Sequence, residues 1–316
     1  MYIYNKKLDF FFIKFPILFP LIYLLILFTF PTYENILIIS VILLLAEPHF
    51  AATYPILFDS TNKDYLSKKR IVFYIGSFLV IGYCIVGFFL FRNFFLLSFY
   101  AFNVFHVTRQ SVGVCKLYNS KQDESKLQNN LIYLFNILFF LIGFFRFYIN
   151  QIPQEILLEL NLIILLLISC VLVFYVKKHR FSQNVYNLIT GIIIFYPICF
   201  VSNPIHAILI GVTKHYSQYL LITFKVYGGR KRLFNESSKL NLGNLFKNKF
   251  VLIILLYASI MTIFSLFGKS NYSLYQNLIL IPIIGQTLHF YLDSFIWKFS
   301  EEHNRNNTLK FIKKEI

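Results

Sequence analysis

Four histidines, His49, His106, His215 and His289, each lie in a hydrophobic run, about 9 to 10 residues before its basic end. At 1.5 Å rise per residue that is roughly 14 to 15 Å from one face of a bilayer, close to its midplane. Ionisable groups are expensive at that depth and rarely accidental. Neutral imidazole is also the commonest protein metal ligand, and a set of nitrogen donors favours iron over magnesium or calcium. A metal or haem centre inside a helical bundle is the chemistry these residue types point to. The bland alternative for each is a core histidine hydrogen-bonded to a neighbouring helix.

The company of these histidines bears on the choice. Asn103 and Arg109 flank His106 at three residues, Gln218 follows His215 by three, Gln286 precedes His289 by three and Asp293 follows it by four. Residues at those spacings share a helix face. A ligating histidine usually gives its second N–H to a carboxylate, amide or carbonyl. Asp293 fits that role, or direct ligation. Glu47 is two residues from His49 and points elsewhere on a regular helix, but Pro48 between them can loosen the turn, which keeps Glu47 as a candidate carboxylate ligand. Arg109 is about six residues from the inner end of its run, too deep for an ordinary loop charge. It suits a substrate carboxylate, a haem propionate or a phosphate, or an ion pair with Asp293 or Glu47. His206, nine residues before His215, is roughly 13.5 Å higher and half a turn out of phase, so core or interfacial hydrogen bonding is expected of it. His179 and His303 fall in basic or polar segments and are expected to be solvated.

The elements that must position these groups are legible as spans. The chain has 316 residues, 57% of them hydrophobic, with 39 Phe and 22 Tyr. That leaves too little polar surface for a soluble globular fold. Ten apolar spans fall near 9–30, 35–58, 71–91, 93–114, 129–149, 156–176, 184–202, 204–225, 250–268 and 273–297. Lys and Arg collect before the first span and after the second, fourth, sixth, eighth and tenth, whereas the other connections are short and charge-poor. By the positive-inside rule this predicts both termini on the cytoplasmic side, in a bacterial inner membrane. It also accounts for the net charge of +16 without nucleic acid. The expected fold is all-α: one integral-membrane domain, 1–316, built as a polytopic transmembrane bundle of about ten helices. The basic segment 226–249 reads as a solvated loop or an interfacial stretch on anionic headgroups. The four cysteines form no CxxC pair, and no cleavable signal peptide is evident. All four midplane histidines fall on even-numbered spans, which run in the same direction, and the sequence therefore predicts one shared cavity.

The stretches Glu47-Pro48-His49-Phe50, Phe105-His106 and His206 to His215 resemble the Pro-His, Phe-His and paired-His segments of the Brp/Blh membrane family, in short islands over about a third of the chain. The resemblance implies an all-helical membrane enzyme that cleaves β-carotene to retinal at a non-haem iron. Its ligands would be His49, His106 and His215, with His206 or His289 completing the set. The HxxxH and HxxHH boxes of membrane desaturases are absent.

The sequence thus leads to a histidine-ligated non-haem iron (Fe2+) oxidoreductase, oxygenase- or dioxygenase-like. It would act on a lipophilic small molecule, a carotenoid or a lipid, with Asp293, Arg109 and Glu47 as further catalytic candidates. A b-type haem protein moving electrons and a multi-pass transporter are the alternatives.

Overall fold

The computed structural model describes residues 3–118, 122–149, 152–179, 183–231, 249–268 and 273–312. Among them all regular structure is helical and no strand occurs. Seven helices are long and apolar enough to cross a membrane: α1 (Lys6–Thr29), α2 (Pro31–Leu57), α3 (Ile71–Leu90), α5 (Lys126–Tyr148), α6 (Glu155–Lys178), α9 (Lys249–Phe267) and α10 (Asn277–Ile296). Between them lie α4 (Arg92–Tyr118), the short α7 (Gln183–Ile192) and α8 (Pro204–Arg230). Each of the ten expected spans therefore carries helix. The helices α4 and α8 are more polar because they bear His106, Arg109, Lys214 and His215. Large side chains such as Leu25 (67% exposed) and Phe28 (74%) stand on the outer faces. Such faces suit hydrocarbon, where a helix satisfies its own backbone. The chain is a multi-pass helical integral membrane protein.

The joint between α3 and α4 falls at Phe91, whose N–H returns to the Gly87 carbonyl. The Phe95 ring then lies over Gly87, so the turn closes only because no side chain stands there. Of the basic segment 226–249, residues 232–248 lie outside the described residues, as does the side chain of His179.

The chain forms two compact units. The first comprises Phe15–Pro31 and Leu97–His215. Here α7 packs on α5 and is followed by a 3-10 turn, Tyr196–Cys199. A helix that stops leaves carbonyls without intrahelical partners. Asn136 Nδ2 takes the Gly191 carbonyl at 2.9 Å, Arg146 takes that of Ile198, and Asn161 takes that of Cys199 at 2.7 Å. Gly211 of α8 lies against the Ile194 carbonyl so closely that any Cβ would collide with it.

The second unit comprises Ile3–Lys14, Thr32–Leu96 and Tyr216–Ile316. In it α10 packs along α3, and α9 packs on Glu47–Ala51 of α2. A polar clasp ties the basic-side loop after α2 to the chain's last described residues. Arg230 donates to the carbonyls of Ile56 (2.7 Å) and Asn307 (2.8 Å) and to Thr308 Oγ1 (3.0 Å). Lys231 pairs with Asp59 at 2.6 Å. Glu301 accepts from Lys69 and from Tyr65, and the Lys69 ammonium holds its carboxyl down at about 2. His303 differs from the expectation of a solvated residue. It stacks on Tyr65, ring centroids 4.4 Å apart, and its Nε2 meets Asn62 Oδ1 at 2.8 Å. Burial, and then the Arg230 charge, lower its pKa. The tail folding back supplies partners that a reading by local composition does not contain.

Candidate metal centre

The second unit gathers His49, Glu47, His289 and Asp293. Proline has no N–H and its ring crowds the carbonyl four residues earlier. Ahead of Pro48, α2 widens into a π turn, Ile42–Ala46, before resuming as α-helix at Glu47. Such bulges recur at functional sites. Glu47 and His49 are both buried, although two residues apart. Thr53, one helical turn after His49, shares its face.

His49 and His289 are fully buried, with ring centroids 4.6 Å apart and planes crossed at 67°. A metal at about 2.1 Å from an imidazole nitrogen stands about 3.2 Å from the ring centre. Two cis ligands at 90 to 109° then have centroids about 4.5 to 5.2 Å apart. The observed pair falls inside that window. Tyr216 and Tyr219 wall the His49 ring at 4.9 and 4.3 Å, and Phe50 lies 5.3 Å from it.

A hydrogen-bond network reaches Nδ1 of His289. Asp293 Oδ1 accepts from Thr53 Oγ1 and from Tyr219 OH, each at 2.7 Å. Thr53 Oγ1 also lies 2.7 Å from Tyr219 OH and 2.7 Å from His289 Nδ1. Thr53 has one proton. If Thr53 gives that proton to Asp293, its contact with His289 puts the hydrogen on Nδ1. Nε2 then carries the lone pair, as a ligand nitrogen must. Asp293 itself stands 3.8 Å from His289 Nδ1, so it acts on the ring through Thr53. Trp297 Nε1 caps the network at Tyr219 OH, 3.4 Å away.

Glu47 is the second carboxylate of this unit. It is 4% exposed, and its Oε2 has no hydrogen-bond partner among the described residues. Its electrostatic neighbours are Tyr54, Tyr216 and Tyr257. A buried, unpaired carboxylate oxygen is costly without a proton or a cation. Gln218 donates to the Ile13 carbonyl at 3.4 Å, tying α8 to α1, and Gln286 is half-buried.

The first unit holds the other two histidines. His106 and His215 are buried, with ring centroids 6.0 Å apart and planes at 89°. Asn103 is buried on the same helix as His106, whereas Arg109 is exposed on α4, electrostatically coupled to Tyr133. Lys214 is buried with its ammonium over the Tyr186 ring, 5.2 Å from the centroid. His206 Nδ1 meets Tyr23 OH at 2.7 Å, the core hydrogen bond expected of it.

Thr53, Tyr219 and Trp297 are participants that the sequence reading passed over. Their signal is spacing, since each stands four residues after a singled-out group: His49, His215 and Asp293. No protein-family model, no curated protein and no solved structure matches the chain.

Proposed function

We propose that the protein is a histidine-ligated non-haem iron oxidoreductase of the membrane, oxygenase- or dioxygenase-like, working on a long apolar substrate. The observation that carries the reading is the His49–His289 pair at cis-ligand separation, with His289 Nδ1 tied to Asp293 through Thr53. Two imidazoles and one carboxylate with open positions is the donor set of non-haem Fe(II) oxygenases. Glu47, with its unpartnered oxygen, is the candidate carboxylate of this unit, and Asp293 the orienting one. His106 and His215 are a second facing pair of donors.

Ferrous iron, when bound, supplies one-electron and oxygen chemistry. The chain's own residues do the rest. Thr53 and Asp293 hold the His289 tautomer. Tyr216, Tyr219 and Phe50 pack about His49 and exclude water. The apolar, aromatic surroundings favour a lipid-soluble substrate. A carotenoid is what the Brp/Blh resemblance implies; the donor set itself requires no polyene. Arg109, exposed on α4, is a proposed partner for an anionic group. In this proposal both termini lie on the cytoplasmic face of a bacterial inner membrane, a reading that the basic loops support.

The test is metal analysis and an absorption spectrum of the purified chain, with His49→Ala and His289→Ala beside it. Iron that disappears in both variants, while membrane insertion persists, is the expected result. One geometric feature favours a second reading. Two imidazoles on opposite sides of a metal have centroids about 6.4 Å apart. His106 and His215, at 6.0 Å, come near that. A Soret band lost in His106→Ala establishes haem b instead. A protein without any transition metal refutes both and favours a transporter.

A further inference from the structure

We propose a binding site for an anionic phospholipid at the basic end of α3, where one acyl chain lies in a groove and the phosphate rests on Lys68 and Arg70. This is independent of the metal reading. The groove belongs wholly to the second unit. Its volume is about 190 Å³, and Leu57, Phe58, Leu66, Phe73, Phe78 and Leu292 form most of its wall. Ser77 also borders it, but the Ser77 hydroxyl is committed to the Phe73 carbonyl of its own helix. The space is therefore dry and apolar. It is open on one side, and its rim residues Phe58 and Phe78 are 62% and 72% exposed. On a membrane-spanning helix such an opening faces lipid. Pockets that enclose a whole drug-sized molecule run to about 300–1,000 Å³. A smaller, half-open space suits a single chain.

Charge complementarity identifies the lipid. The chain between the lining residues Leu66 and Phe73 contains Lys68, Lys69 and Arg70. Glu301 occupies Lys69, which anchors the segment. Lys68 and Arg70 are exposed, and Arg70 immediately precedes the helix whose Phe73 and Phe78 line the groove. Segment 63–70 carries Lys63, Lys68, Lys69 and Arg70 against one acid, Asp64. Basic residues at the end of an apolar helix are where anionic headgroups are drawn. A zwitterionic headgroup cancels most of that attraction, so the site distinguishes phosphatidylglycerol from phosphatidylcholine.

The full chain is reconstituted in nanodiscs of equal phosphatidylglycerol and phosphatidylcholine, re-extracted in mild detergent, and its retained lipid is weighed by native mass spectrometry. The expected enrichment of phosphatidylglycerol is about tenfold. Lys68→Gln with Arg70→Gln removes the preference, and Ser77→Trp, which fills the groove, removes the lipid. Equal retention of both lipids by the native chain overturns the proposal, as does undiminished retention by Ser77→Trp. If Ser77→Trp fails to fold, a phosphatidylglycerol with a photoreactive acyl chain decides on the native protein. Adducts within residues 57–81 support the site, and adducts confined elsewhere refute it.

Discussion

Thr53→Val is the sharpest perturbation of the proposed centre, because it deletes one hydroxyl and keeps the shape. Thr53 Oγ1 has three partners at 2.7 Å: His289 Nδ1, Asp293 Oδ1 and Tyr219 OH. Two of these survive the change together, since Tyr219 still donates to Asp293. The Nδ1–H of His289 loses its Thr53 acceptor. Asp293 Oδ1 is 3.8 Å away, so the ring must move about 1 Å to bring that oxygen within hydrogen-bonding distance. A buried donor without an acceptor costs about 1–3 kcal/mol. Either the ring moves and misdirects Nε2, or the tautomer is no longer held. Loss of such an orienting partner weakens metal binding by about 10–100-fold. The assay is iron content across a buffered ferrous titration, with thermal unfolding of the metal-free protein as the folding control. Thr53→Ser keeps the hydroxyl and is expected to bind within about threefold of the native chain. If Thr53→Val binds iron like the native protein while His289→Ala does not, Thr53 does not orient the ligand and the tautomer argument fails.

The remaining predictions read other parts of the chain. Glu301 titrates at about 2 instead of 4.5 because Lys69 donates to it, so its folded-state pKa is depressed. The stability it contributes is complete above pH 4.5 and is lost as pH falls toward 2; in Glu301→Gln, thermal unfolding measured through that window loses this part of its pH dependence. Gly211→Ala drives a methyl into the Ile194 carbonyl and is expected to destabilise by about 1–3 kcal/mol in detergent denaturation. Gly82→Ala, with open space around it, is the matched control and is neutral or slightly stabilising. Single cysteines at Lys63, Lys116 and Lys298 are expected to label from one side of the membrane; labelling from opposite sides removes the common-depth argument for the histidines.

The helices were legible because a bilayer demands long apolar runs and sorts Lys and Arg to one side. The alternation of basic loops also marked α4 and α8, which are too polar for hydropathy alone. The pairing of His49 with His289 was legible only as a shared depth, since depth says nothing of rotation about a helix axis. Thr53 was hidden for a physical reason. Threonines in apolar helices commonly return their hydroxyl to the carbonyl four residues back, as Thr108 does to Val104 and Thr287 to Ile283. Nothing local distinguishes Thr53 from these. Its partners lie 166 to 240 residues away. The π turn before Glu47 was foreseen only as a loosening at Pro48.

The clasp between the α2 loop and the tail sets the order in which the molecule can be completed during synthesis. His303 meets Asn62 across 241 residues of chain, and Asp293 meets Thr53 across 240. At 5–20 residues per second, a ribosome that has inserted α2 needs about 12 to 48 s more before those partners exist. Until then Glu47 and His49 have no His289 or Asp293 beside them, and Asn62 has no His303. The proposed centre therefore assembles only after α10 has been made. A nascent chain that has only its early helices lacks His289 and Asp293, and its loop at Asn62 and Tyr65 lacks the partners His303 and Glu301.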